Sequence, residues 1–239
     1  MLFRSNVKVP QPFTDTTNLL QIADISQGMI ADWDADSLGS GTVSSWASSV
    51  PGGQVLASPI SGSTAPTVGN GPNGHKAVTF NGSQSISGSS PLLPNGMPWT
   101  IIVVAKNDLP DNTARIVSSS VDDAGFFYIR FRLSGLQANA SRVSDQTTAY
   151  TTSKAAAGQW VIGVFRFSSL GVKVDSSLWD KASASGSVPD YSGFPILGMS
   201  NSGSETLTGA IARVMVYDRE LSDVSVASLM GDLRGVYGI

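Results

Sequence analysis

A run of almost uniformly apolar residues, 210–217, follows the glycine at position 209 near the end of the sequence. A strand that is apolar at both odd and even positions buries both of its faces, which requires one layer of protein above it and another below it. The run therefore predicts an interior strand of a layered β structure.

A second pattern follows the polar turn at 218–220. Ser222 stands where an N-cap is expected, and Asp223 in the first turn favours the helix dipole. Val226, Leu229, Met230 and Leu233 recur at the spacing of one helical face. This spacing predicts a short helix that covers one end of the strand, and Gly235 is the predicted stop.

Short apolar runs separated by turn residues recur from residue 77 onward. Glycine and proline clusters between residues 39 and 74 predict loops. Short strands at regular intervals indicate an antiparallel sandwich or barrel. The predicted strands are residues 77–80, 99–106, 115–119, 126–133, 136–140, 160–167, 171–174, 196–199 and 208–217.

Strict alternation between 127 and 133 predicts a hairpin with one apolar and one polar face. With a two-residue turn at 134–135, Arg132 lies opposite Gln137, and Arg130 lies opposite Asn139. The outward face then holds planar hydrogen-bonding groups beside an aromatic ring. Its residues are Tyr128, Arg130, Arg132, Gln137, Asn139 and Ser141.

Composition excludes several classes of function. Charged residues are 14% of the chain, the net charge is −3 and cysteine is absent. Without a basic stripe we expect no nucleic-acid partner, and without about 18 consecutive apolar residues we expect no membrane span. Thiol nucleophiles and thiolate metal sites are excluded. The first residues lack the apolar segment of a secretion signal, so synthesis in a cytoplasm is expected.

Residues 1–27 form a predicted N-terminal arm. Two prolines extend its first part, and apolar residues after residue 15 are enough for one or two helical turns. Three alternatives remain open: the arm wraps its own sandwich, anchors the protein to a neighbouring subunit, or is disordered. The residues expected to carry an assembly contact are Val7, Val9, Phe13, Leu19, Leu20 and Ile22.

Four segments, in order along the chain, carry a family resemblance. They are residues 29–38 (MIADWDADSL), 74–82 (GHKAVTFNG), 99–105 (WTIIVVA) and the strand and turn at 209–222, with the closing Tyr-Gly-Ile at 237–239. The chain resembles the laminin-G-like, concanavalin A-like lectin-glucanase jelly-roll family, of the kind found in phage structural proteins. For residues 28–239 the resemblance implies an all-β, two-sheet antiparallel jelly-roll sandwich with a short C-terminal helix.

A search for catalytic groups finds little. Glucanases that resemble this family use a close pair of glutamates on one strand, whereas this chain has only Glu205 and Glu220, both in predicted turns. His75 is the only histidine and is expected to be exposed in a loop. The aspartates at positions 32, 34 and 36 are expected to face solvent or make turns, with a calcium site or a catalytic role as alternatives. We expect a non-enzymatic protein without a cofactor, with calcium left open.

Carbohydrate binding remains open because sugars are bound by aromatic rings and planar polar side chains. Four tryptophans, at positions 33, 46, 99 and 160, are predicted to be in the core. Trp179 and Tyr191 join the hairpin face as predicted ligand contacts. The alternative for that face is burial against another strand layer or subunit.

The leading hypothesis at this point is a virion-associated structural protein of a bacteriophage, a capsid-decoration or tail-associated subunit with weak glycan affinity. It is based on analogy with phage proteins of this plain kind. The expected partners are other virion subunits or a second copy of the chain, as a trimer or dimer. The alternative is a lectin-like carbohydrate-binding module in adhesion, at the bacterial cell surface or outside the cell.

Overall fold

The structure is a computed structural model. It describes residues 25, 27–57, 59–92, 98–109, 113–119, 126–132, 135–141, 146–151, 155–178, 180–186 and 193–239. The predicted arm, apart from Ile25 and Gln27, lies outside the described residues, and so do Trp179 and Tyr191.

The described residues form seventeen β-strands and one long helix, α1 (Asp223–Tyr237). The strands of the first half are β1 (Met29–Asp34), β2 (Gly41–Thr42), β3 (Trp46–Ala47), β4 (Val55–Leu56), β5 (Thr67–Asn70), β6 (Lys76–Asn81), β7 (Ile86–Ser87) and β8 (Trp99–Asn107). Those of the second half are β9 (Ala114–Ser119), β10 (Phe126–Arg132), β11 (Gly135–Ser141), β12 (Gln146–Tyr150), β13 (Trp160–Ser168), β14 (Gly171–Ser176), β15 (Lys181–Ser185), β16 (Pro195–Leu197) and β17 (Thr208–Tyr217).

Two antiparallel sheets make the sandwich. The nine-stranded sheet has the order β15-β14-β13-β8-β17-β6-β5-β2, with β1 also paired to β17, and the six-stranded sheet has the order β12-β11-β10-β9-β16-β7. The pair β3-β4 stands apart as a small third sheet. This arrangement confirms the predicted jelly-roll sandwich.

Strand β17 lies in the middle of the larger sheet, as its apolar sequence predicts. It pairs with β8 on one side, and on the other side with β6 over residues 208–211 and with β1 over 213–217. The pairing with β8 shifts between Ile211 and Arg213, where a bulge accommodates the change of neighbour. One face of β17 contacts the core between the sheets, and the other contacts α1.

Aromatic side chains fill the space between the sheets. Trp33, Trp46 and Trp99 are fully buried there, as predicted. Trp160 differs, because it is only partly buried and packs at the edge of the second apolar cluster under α1. Its ring lies 5.8 Å from the Lys106 ammonium, a cation–π contact at the start of β13.

Helix α1 begins as predicted but ends later. The Ser222 hydroxyl accepts the Ser225 amide, and the predicted apolar stripe is buried against the larger sheet. The helix continues through Gly235, so the predicted stop is wrong. Tyr237 extends the buried stripe by one more turn, and Gly238 (φ 64°) ends the helix in the left-handed conformation that favours glycine.

The hairpin of β10 and β11 has the predicted faces in a different register. Arg132 pairs with Gly135, and Arg130 pairs with Gln137, so each predicted partner is wrong by two residues. Gly135 is therefore part of the strand and not of the turn. A shift of two residues keeps every side chain on its own face, so hydrophobic alternation cannot distinguish the two registers.

Eight of the seventeen strands lie outside the nine segments predicted from the sequence: β1, β2, β3, β4, β5, β7, β12 and β15. Among them, β12 and β15 lie in the second half of the chain. Both are edge strands of mixed, largely polar composition (QTTAY and KASAS) and lack the apolar run on which the predictions relied.

Among the described residues, no helix has both the length and the apolarity needed to cross a membrane.

Candidate functional site

The outer face of the six-stranded sheet carries a row of polar side chains across three strands. Arg130 in β10 pairs with Arg115 in β9 on one side and with Gln137 in β11 on the other. The neighbours Ile129 and Phe131 point the other way, into the core between the sheets. Because alternate residues point to opposite faces, this row lies on the side away from the core.

Glu205 lies over this row and contacts two of its residues, Arg115 and Arg130. It lies in the 198–207 loop between β16 and β17, and its two carboxylate oxygens accept hydrogen bonds from Arg115 Nε and Arg130 Nη1. Arg130 Nε also donates to the Gln137 side-chain oxygen at 2.9 Å. One carboxylate thus holds two guanidinium groups in fixed positions. Together with Tyr128, these four residues (Arg115, Arg130, Gln137 and Glu205) are called the arginine–tyrosine cluster below.

Tyr128 supports both guanidinium groups. The Arg115 and Arg130 groups lie 3.7 and 4.4 Å from the centre of its ring, which are cation–π distances. The side chain is only 7% exposed, and burial raises the pKa of its hydroxyl in spite of the two nearby cations. The ring is therefore covered and is not an open platform for stacking.

The electrostatics of the cluster are those of a partly buried ion triad. Burial opposes ionisation of Glu205, but the ion pairs with Arg115 and Arg130 outweigh it and lower the pKa of the carboxyl. Burial also lowers the pKa of Arg115, which nevertheless remains charged. Two guanidinium groups and one carboxylate leave a net charge of +1 on this part of the face.

The structure brings together only part of the predicted ligand face. Tyr128, Arg130 and Gln137 are in contact, and Arg132 is exposed at the end of β10. Asn139 pairs with Tyr128 through the backbone, but its side chain lies outside the described residues, as do Trp179 and Tyr191.

Arg115 and Glu205 belong to the cluster but were not predicted from the sequence. Arg115 lies in a predicted strand, so alternation could have placed it, whereas no local pattern marks Glu205.

The three aspartates near the start of the domain are structural. Asp32 is buried and accepts two hydrogen bonds from Arg213, at 2.8 and 2.9 Å, so the expectation that it faces solvent is wrong. Asp34 Oδ1 accepts the Asp36 amide at 2.9 Å and caps a short 3₁₀ turn. Arg213 is a strand residue of β17, and its guanidinium explains how the sheet tolerates a buried carboxylate.

Asp36 and His75 connect the start of the domain to the end of α1. His75 Nδ1 donates to Asp36 at 2.5 Å, its Nε2 lies 3.2 Å from the Val236 carbonyl oxygen, and its ring is 4.9 Å from that of Tyr237. The expected exposed position is therefore wrong, because contacts on several sides leave only 28% of the side chain exposed. Tyr237 is buried, and this raises the pKa of its hydroxyl to about 12.

We expect the His75 contact to stabilise the fold at acidic and neutral pH. Hydrogen bonding to Asp36 raises the pKa of His75 above its usual value of 6.5, because only the protonated ring can donate from both nitrogens, to Asp36 and to the Val236 carbonyl. Stabilisation is then complete below about pH 6.5 and is lost as the pH rises through the raised value. An NMR titration should show one imidazole signal titrating above 6.5, and Asp36→Asn should lower that midpoint. A midpoint at or below 6.5 would contradict this account.

The two glutamates do not form a catalytic pair. Glu205 lies on the outer face of the six-stranded sheet, whereas Glu220 contacts Lys173 on the α1 side of the larger sheet, at 2.7 Å. Retaining glycosidases need two carboxyl groups about 5 Å apart, and opposite sides of a sandwich cannot provide that distance.

Within the described part of the chain, no group of three or more acidic or histidine side chains is arranged to hold a metal ion.

Comparison with solved structures finds the same architecture in other proteins. Domain 4 of AbnA, an extracellular arabinanase from Geobacillus stearothermophilus, in complex with arabinotriose, aligns with a TM-score of 0.66 at 18% identity, covering 84% of this chain and 98% of that domain. The binding domain of Botulinum Neurotoxin DC in complex with SialylT aligns with a TM-score of 0.64 at 10% identity, covering 87% of this chain and 52% of that one. A heptameric SAP-like pentraxin from Limulus polyphemus aligns with a TM-score of 0.53 at 15% identity, covering 64% of this chain and 81% of that one.

At these identities the structural likeness establishes the fold, and the sequence itself establishes the family. No curated protein matches the sequence. A family model, described as the concanavalin A-like lectin/glucanases superfamily, matches residues 80–227, which is more than half of the chain. By this match, and with the two-sheet sandwich that supports it, the chain belongs to the concanavalin A-like lectin/glucanases superfamily.

Proposed function

We propose that the protein is a non-catalytic carbohydrate-binding domain and that it binds glycans on the outer face of the six-stranded sheet. The observation that carries this proposal is the arginine–tyrosine cluster, where planar donors and acceptors lie in register across three strands. The arabinotriose complex of the similar arabinanase domain is consistent with it at the level of the fold.

The chemistry of the cluster suits sugar hydroxyls. Each hydroxyl both donates and accepts, so it needs donors and acceptors side by side. Arg115 and Arg130 supply N–H donors, and the Glu205 carboxylate supplies acceptor oxygens. Hydrogen bonds to charged groups contribute about 1.5–3 kcal/mol each, more than neutral ones.

The cluster is also preorganised for binding. The ion pairs with Glu205 and the Tyr128 ring hold both guanidinium groups before a ligand arrives, so little side-chain entropy remains to be lost. Glu205 is 26% exposed and Arg132 is exposed, so a glycan meets charged groups at the surface while the tyrosine ring lies beneath them. We therefore infer recognition by hydrogen bonding more than by aromatic stacking.

The proposal predicts the effect of Arg130→Ala on glycan binding. A glycan array would first identify a ligand. Titration calorimetry would then compare the glycan affinities of variants that have the same melting temperature as the intact protein. Arg130→Ala removes the group that joins Glu205 to Gln137, and we expect at least tenfold weaker binding, about 1.4 kcal/mol. Arg234→Ala is the matched control, because this arginine lies on α1, on the other side of the sandwich. Equal affinity of both variants, or no glycan bound by the intact protein, would refute the proposal.

The virion-associated role remains a prediction. It is based on analogy with phage proteins, on the sparse charge and on the arm at residues 1–27, most of which lies outside the described residues. A capsid-decoration subunit that binds cell-surface glycans would use the same face. Its test is separate, because deleting residues 1–24 should abolish particle binding or oligomers and leave glycan affinity unchanged.

A further inference from the structure

We propose that the glycan bound on the outer face of the six-stranded sheet is acidic, and that a carboxylate or sulfate group on it pairs with Arg132. This inference rests on the proposed function, because it names the class of glycan for the same face. The strands of the six-stranded sheet contain three charged residues, and all three are arginines: Arg115, Arg130 and Arg132. The whole chain has a net charge of −3, so this concentration of cations is local.

The three arginines point to the same side of the sheet. Arg115 pairs with Arg130 across β9 and β10, which places their Cβ atoms about 5 Å apart. Arg132 follows Arg130 by two residues, about 7 Å along the same strand. Phe131, between them, points into the core, so both arginines point away from it. All three cations therefore lie within reach of one bound glycan chain.

The charges of this face do not cancel within the described part of the chain. Glu205 is the one described carboxylate that contacts these arginines, and it pairs with both Arg115 and Arg130. Arg132 is exposed and has no ion pair with a described residue. Three cations and one carboxylate, 3 − 1, leave a net charge of +2.

The cations of the larger sheet differ, because carboxylates neutralise them. Strand residues of that sheet with a carboxylate at 3.2 Å or less are Lys106, Arg166, Lys173, Lys181 and Arg213. A single exposed arginine is commonly just solvated, so Arg132 alone would indicate little. The two guanidinium groups beside it are only 14% and 12% exposed and share one carboxylate. A partly buried charge without its own counter-ion costs free energy, which an anionic ligand group would offset.

An acidic sugar matches both kinds of group on this face. Its carboxylate or sulfate accepts short, charge-assisted hydrogen bonds from the planar guanidinium donors. Its hydroxyls can donate to Glu205, since each carboxylate oxygen that accepts from an arginine has a second lone pair. A neutral sugar would leave the excess positive charge unpaired. Arg132 is therefore the residue that selects acidic over neutral glycans.

The experiment is a glycan array of the intact protein in which each acidic glycan stands beside its neutral counterpart. Sialylated chains are matched with their desialylated forms, oligogalacturonates with their methyl esters, and sulfated chains with their unsulfated forms. Titration calorimetry then measures both members of the best pair, and we expect the acidic member to bind at least about tenfold more tightly. Raising NaCl from about 0.1 to 1 M should reduce this preference, because it shortens the Debye length from about 10 to 3 Å.

Arg132→Gln tests the residue assigned to the anionic group. Its side chain is exposed at the end of β10, so the melting temperature should not change. We expect the ratio of the two affinities to fall toward one, which a general loss of structure would not produce, and Arg132→Lys to keep most of the preference. Lys173→Gln is the matched control, because it removes the same charge from a 51% exposed cation on the outer face of the larger sheet. It should bind like the intact protein.

The outcomes separate this inference from the proposed function. A preference for the carboxylated or for the sulfated members supports the inference and identifies the anionic group. Equal affinities within each pair, or an unchanged preference in Arg132→Gln, would overturn it. Loss of that same binding in Arg130→Ala would then still support the proposed function. Absence of binding to every glycan would overturn both.

Discussion

Arg166→Met is expected to lower the free energy of unfolding by about 3–5 kcal/mol, the cost of breaking a buried ion pair by removing one partner. The substitution leaves the Asp175 carboxylate in an almost fully buried position, with only the exposed Lys181 ammonium nearby. Asp223 loses the same partner but is 74% exposed, so water can replace the arginine there. Urea denaturation followed by tryptophan fluorescence measures the difference.

A double variant distinguishes the unpaired charge from lost packing. Arg166→Met/Asp175→Leu removes both charges, and replacing a buried ion pair by apolar side chains is often neutral or stabilising. We expect the double variant to recover most of the stability that the single substitution loses. If it is as unstable as Arg166→Met alone, the loss comes from packing around the arginine stem, and the explanation by an unpaired carboxylate is wrong.

Trp99→Ala is expected to destabilise the protein by a similar amount, about 3–5 kcal/mol, through a cavity between the sheets. Trp99 is 1% exposed and lies directly opposite Phe167 on the neighbouring strand. The two rings stack with centres 3.7 Å apart, and the ring of Phe127 from the other sheet meets Trp99 edge-on, with centres 4.9 Å apart. Removing the indole therefore removes a packing contact between the two sheets and leaves a cavity in its place.

Leu170→Ala serves as the control for the core substitution. Leu170 is a large apolar residue of the β13–β14 turn, but it is 82% exposed, so its truncation should change stability by less than about 0.5 kcal/mol. Chemical denaturation of both variants under the same conditions gives the comparison. Similar losses for the two substitutions would mean that the aromatic contacts between the sheets contribute much less than their burial indicates.

Local periodicity was sufficient to predict much of the fold. Residues 210–217 are apolar at almost every position, and this predicts an interior strand because both faces need apolar neighbours. The helix start at Ser222 follows from one capping residue. The register of β10 and β11 could not be predicted, since two registers that differ by two residues bury the same side chains.

Of the candidate site, the sequence could place only the residues that lie on a predicted strand. Tyr128 and Arg130 alternate with core residues, and this placed them on one face. Glu205 reaches Arg130 across 75 residues of sequence, and Arg213 reaches Asp32 across 181. Contacts of this range depend on how the sheets stack and how a loop crosses them, which no local pattern encodes. The charged contacts were therefore missed although the strands beneath them were predicted.

The central position of β17 has a consequence for how the polypeptide acquires its structure during synthesis. This strand separates β8 from β6 and β1, so these segments share no hydrogen-bonded strand in the larger sheet until residue 217 has emerged from the ribosome. Shorter nascent chains leave one backbone edge of β8 and one of β6 unpaired, and unpaired strand edges favour aggregation. We therefore expect the sandwich to fold late and cooperatively, after the strand at its centre has been translated.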